Sequence, residues 1–198
     1  MKFQLERILL FSDAVFAIAI TLMIIEIKPP HLEYDLSFSE SLNKFLEVVP
    51  LIFGTILSYC MIGLYWYKHH DLMRHLSSYD AKFIRINFAL LLSVAFIPFS
   101  TAFIMENSAT LITILVYNIN YILVSFLNFR IYNYALNPKN NLCLENVAAE
   151  IVSIKKETIF SISIFTLVIL IAIFISPQAA PLGYAAFGFY GLFIKNKP

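Results

Sequence analysis

From its N-terminus the chain is a succession of long apolar runs separated by short polar connectors. A helix that crosses a ~30 Å hydrocarbon layer needs ~20 mostly apolar residues. Six segments fit that template: about Gln4–Ile27, Phe45–Tyr67, Phe83–Met105, Ala109–Phe129, Thr158–Ile175 and Ala179–Ile194. The first stops at Lys28-Pro29-Pro30 and the fifth at Ser176-Pro177, while the last is the shortest and carries Pro181 and three glycines. Asp13 lies inside the first run and no small-residue cleavage site follows it, which argues against a removable signal peptide. The pattern predicts an all-α membrane protein with six transmembrane helices, forming one domain over residues 1–198. The longest polar stretch, Asn137–Glu157, is expected to be a solvated connector rather than a short helix.

Composition sharpens this picture. Of the 198 residues, 60% are hydrophobic and 14% charged, and the mean hydropathy is +0.77. Soluble domains run near ~45–50% apolar and ~25% charged, so one soluble core of this length cannot hide the surplus. Disorder, a nucleic-acid-binding arm and a disulfide-stapled fold are excluded together, and Cys60 and Cys143 make no metal or disulfide pattern. Lys and Arg then set the orientation. Lys2, Arg7, Lys68, Arg74, Lys82, Arg85, Arg130, Lys139, Lys155, Lys156, Lys195 and Lys197 fall at one set of helix ends, and only Lys28 and Lys44 at the other. Both termini are therefore expected in the cytoplasm, with the chain a multi-pass protein of the cell membrane.

Catalytic chemistry is hard to find. The chain has no Gly-rich phosphate loop, no HExxH pair and no serine nucleophile elbow, so no enzyme is expected. It also lacks the Gly-rich carbonyl filter of ordinary potassium channels. No cofactor and no metal site is expected; His69 and His70 are adjacent, so they diverge on a helix.

The first helix is the informative one. A carboxylate at the depth of Asp13 costs ~2.5–3.5 kcal/mol on insertion scales, so it needs a partner or a task. At ~100° per residue, with Ile18 at zero, Leu22 falls near +40°, Ile25 near −20° and Thr21 near −60°. Asp13 falls about 140° from Ile18. If the Ile18–Leu22–Ile25 stripe faced a pathway, Asp13 would point into the helix bundle as a buried structural acceptor. Periodicity alone makes the stripe ordinary lipid-facing or packing surface. Asp13, Trp66, His69 and Asn87 occupy similar depth on three helices, which suggests an interhelical hydrogen-bond network. Asn118 and Asn120 lie deeper and are expected to join helices.

These residues resemble the prokaryotic branch of the transmembrane protein 175 family of potassium channels. The resemblance rests on Arg7-x-x-x-Phe11-Ser12-Asp13 and the Ala14–Leu22 run after it, then Trp66-x-x-His69-His70, Asn87 and Pro98. It covers about the first half of the chain. The resemblance implies a homotetramer in the lipid bilayer, with the first helix of each subunit lining a central pore and K+ as the permeant ion. It implies Ile18 as the apolar constriction, Leu22 and Ile25 as further apolar layers, and Thr21 as the hydroxyl that favours potassium over sodium. Arg7, Phe11, Ser12 and Asp13 are implied as motif residues packing the helices, with Trp66, His69 and Asn87 as partners. Two other readings stay open: a proton-coupled carrier using Asp13 and His69, with a proton-permeable cation channel as its milder variant, and a membrane scaffold or enzyme.

Overall fold

The computed structural model describes residues 2–107, 110–143 and 148–189. The chain forms α1 (Lys2–Ile25), α2 (Phe38–His75), α3 (Ala81–Ala95), α4 (Ile97–Glu106), α5 (Leu111–Ala135) and α6 (Ala148–Phe174). Short 3-10 segments cover Pro138–Asn140 and Ala180–Phe189. Among the described residues five helical stretches are long and apolar enough to cross a membrane, with α3 and α4 together making one of them.

The sixth expected helix differs. Its described part is a 3-10 segment of ten residues, and at ~2.0 Å per residue that covers ~20 Å, short of the hydrocarbon core. Pro177 and Pro181 remove backbone donors and Gly183 weakens helical preference, so a regular α-helix has no footing there. Positions 190–194 of the expected span lie outside the described residues.

Hydropathy located the spans but not the helix ends. Helix α2 has 38 residues, about 57 Å at 1.5 Å each, and overshoots the bilayer core on both sides. It begins seven residues before the apolar run because Ser37 caps it. The Ser37 hydroxyl accepts from the Glu40 amide at 3.4 Å, and the Ser37 amide donates to the Glu40 carboxylate at 2.9 Å. The third span is broken at Phe96, where Pro98 cannot donate to the carbonyl of Val94 and its ring crowds that turn.

The polar stretch after α5 is not a solvated connector throughout, for its described second part is helical. Helix α6 starts at Ala148 and runs straight into its span. Buried Leu142 is pinned to the end of α2: its carbonyl accepts the Ser77 amide at 2.8 Å and the Ser77 hydroxyl at 3.0 Å. Asp80 caps α3, accepting from the Phe83 amide at 2.7 Å, and the Tyr134 hydroxyl of α5 donates to its other oxygen. These donors, the Tyr134 hydroxyl foremost, hold the Asp80 carboxyl below the usual carboxylate range.

Helix α5 is central, packed on α3, α4 and α6 with a smaller contact to α2, and α1 lies against α2, α3 and α4. Apolar burial drives nothing between helices in lipid, so close packing and interhelical hydrogen bonds carry the association. Tyr121 stacks on Phe165 with ring centroids 5.0 Å apart. Tyr65 and Ser125 join α2 to α5 at 2.6 Å, as do Ser58 and Tyr117 at 3.0 Å. The deep asparagines join elements as expected: Asn120 donates to Ser100 at 3.1 Å, and Tyr184 donates to Asn118 at 3.1 Å.

Candidate pore helix and the polar network behind it

Helix α1 has one packed face. Ser12, Phe16, Ala19 and Met23, spaced four, three and four apart, are buried against the rest of the protomer. The opposite side is bare. Ile18 is 58% exposed, Leu22 38% and Ile25 72%, and Thr21 is exposed beside them. The Ile18–Leu22–Ile25 stripe and Thr21 look away from the protomer, as the wheel predicts. Asp13, however, is half-exposed at the helix edge rather than buried, because the buried face falls on Ser12 and Phe16 instead. The Thr21 hydroxyl donates to the Ile18 carbonyl at 2.9 Å. With its proton committed there, the exposed oxygen is left as an acceptor.

Behind the bare face, adjacent residues of the motif reach different neighbours. Asp13 accepts the Trp66 indole N–H at 2.9 Å, tying α1 to α2. Ser12 enters a buried chain on the other side. His69 meets the Asn87 side-chain oxygen through Nε2 at 2.8 Å, Asn87 Nδ2 donates to the Ser12 hydroxyl at 3.0 Å, and Ser12 donates to the Ile8 carbonyl at 2.9 Å. An amide oxygen only accepts, so His69 Nε2 carries the proton in this arrangement. Every donor in the chain then points the same way, from α2 through α3 into α1, and ends on backbone. All three side chains are buried, where an unmet polar group is costly.

The expected network is thus two links rather than one. Trp66 and His69 share a face of α2, yet Trp66 serves Asp13 at the half-exposed edge and His69 serves Asn87 in the core. Phe11 reaches α3 through its ring, 5.5 Å from that of Phe88. Arg7 is not brought into either link: it is exposed, and it forms no ion pair among the described residues. Phe16 and Phe88 were missed in the sequence. The buried Phe16 ring packs on that of His69 with centroids 5.4 Å apart, and its signal was its place one turn after Ser12 on the same face. Among the described residues no group of three His, Cys, Asp or Glu side chains could hold a metal ion.

Comparison with known proteins points in one direction. Residues 7–98 match the family described as endosomal/lysosomal potassium channel TMEM175. A potassium channel of Chamaesiphon minutus is 37% identical over 101 residues, 50% of this chain and 49% of its own length. A potassium channel of Streptomyces collinus is 33% identical over 100 residues, again 50% of this chain and 47% of its own. The chain spans about half the length of these curated relatives. A crystal structure of a lysosomal potassium-selective channel TMEM175 homolog from Chamaesiphon minutus superposes with a TM-score of 0.77 at 25% identity, covering 98% of this chain and 99% of that one.

Proposed function

Since residues 7–98 match the TMEM175 family, a family of ion channels rather than enzymes, and the fold superposes on a TMEM175 homolog, we propose that the chain forms a passive, potassium-selective channel. In this reading residues 1–198 are one transmembrane domain of six membrane segments, the sixth beginning as a 3-10 helix, in the cell membrane with both termini cytoplasmic. Four copies surround an axis lined by α1. The observation that carries the reading is the bare face of α1, with Ile18, Thr21, Leu22 and Ile25 opposite a packed stripe. Closing that face around a symmetry axis would give each apolar residue a ring of like partners.

A ring of Ile18 side chains can gate by dewetting, blocking ions when narrow and passing them when slightly wider. Selectivity then comes from modest terms. Potassium sheds water more readily than sodium, and the exposed hydroxyl oxygen of Thr21 offers a weak replacement ligand. Asp13 and the Ser12–Asn87–His69 chain act as positioning groups, fixing the rotation of α1 so that the stripe faces the axis.

The test is ion flux from liposomes holding the purified protein. Potassium should move down its gradient faster than sodium, with no coupling ion. Thr21→Val, nearly isosteric but without the hydroxyl, should lower the potassium preference about fivefold, the worth of one hydrogen bond of ~1 kcal/mol. Uphill, saturable accumulation driven by a proton gradient would instead establish the carrier with Asp13 and His69 as its proton groups.

A further inference from the structure

Between α3 and α5 lies a groove of about 500 Å³ whose lining includes Lys82, Arg85, Arg130, Ile86, Phe126 and Leu127. Its charges are segregated from its apolar walls. Lys82 and Arg85 stand on the first turns of α3, which begins at Ala81, and Arg130 stands about a turn before the end of α5 at Ala135. Ile86 lies a turn past Lys82 but directly beside Arg85, and Phe126 lies a turn before Arg130. The cations therefore cluster toward the ends of the two helices, and the apolar wall starts among them and continues inward along α5.

The cations also lack ion-pair partners within reach. Among the described residues none of the three forms an ion pair. Asp80 attracts Lys82 without forming an ion pair with it, its oxygens accepting from the Phe83 amide and the Tyr134 hydroxyl. Aromatic rings hold the cations in place without neutralising them: the Lys82 ammonium lies 4.8 Å from the Tyr134 ring centroid, and the Arg130 guanidinium 5.9 Å from that of Phe126.

We propose that this groove binds an anionic phospholipid, with its phosphate between Lys82, Arg85 and Arg130 and an acyl chain along Ile86 and Phe126. Phosphate matches the forked donors of two arginines. A lipid supplies it in preference to a soluble phosphate because half-buried Ile86 and Leu127 and exposed Phe126 continue the groove into the hydrocarbon. Basic pockets between transmembrane helices on the positively charged side are suited to such headgroups. The inference requires only that the chain spans a membrane and is independent of ion conduction.

The full chain in nanodiscs of equal phosphatidylcholine and phosphatidylglycerol, analysed by native mass spectrometry, tests it. Wild type should retain phosphatidylglycerol selectively. Each single change, Lys82→Gln, Arg85→Gln or Arg130→Gln, should weaken retention about fivefold. Lys155→Gln with Lys156→Gln removes two exposed cations away from the groove and should leave retention unchanged. Lys82→Arg with Arg130→Lys keeps the charge and should keep the lipid, which separates binding from misfolding in the neutral variants. Equal retention of both lipids by wild type overturns the site. So does equal loss in the Lys155/Lys156 variant, which would mean general surface charge, or displacement of the lipid by millimolar inorganic phosphate.

Discussion

Ile18→Ala or Ile18→Ser is expected to raise potassium flux through reconstituted protein by about tenfold or more. The reason is the multiplicity of the ring. In the proposed tetramer each substitution removes apolar surface four times around one axis, and a fall of only ~1.4 kcal/mol in the barrier is a decade in rate. Serine should act at least as strongly as alanine, because its hydroxyl also helps the constriction stay wet. The change should not unfold the protein, since Ile18 is exposed in the protomer and leaves no cavity behind. Potassium flux per protein in liposomes, against an equally loaded wild type, is the check. Unchanged flux in both variants would place the constriction elsewhere.

The second large effect is on stability. Asn87→Ala should cost roughly 1–2 kcal/mol, because it orphans the buried His69 N–H as well as removing the donor to Ser12. In a chain of this size that is a fall of about 2–8 °C in thermal midpoint. Trp66→Phe should cost less, since the Asp13 link it breaks lies at a half-exposed edge where water can replace it. Thermal unfolding in one detergent, followed by tryptophan-independent circular dichroism, compares the two. If Asn87→Ala melts with wild type, the donor chain is not what clamps α1 to the bundle.

What the sequence discloses here divides along physical lines. The five long spans were legible because crossing a bilayer demands a long apolar run. The face of α1 was legible because one helical period suffices to separate Ile18, Leu22 and Ile25 from Asp13. Helix ends were not, because hydropathy is blind to polar helix: Ser37 and Glu40 start α2 within residues that read as connector. The docking of Leu142 on Ser77 was invisible because it is a backbone contact between segments 65 residues apart. Equal depth brought Asp13, Trp66, His69 and Asn87 together, but only the rotation of each helix decides which of them meet. The described part of the final segment is a 3-10 rather than an α-helix, where Pro181 and Gly183 weaken helical preference despite its apolar content.

The central claim is that the bare stripe of α1 is the wall of the conduit. It is tested most directly by single cysteines on α1, in a chain whose Cys60 and Cys143 are replaced by serine, with flux measured before and after a small water-soluble thiol reagent. Ile18→Cys, Leu22→Cys and Ile25→Cys should be blocked, while Ala19→Cys, on the packed face, should conduct unchanged. Block at Ala19→Cys with none at positions 18, 22 and 25 would contradict the account.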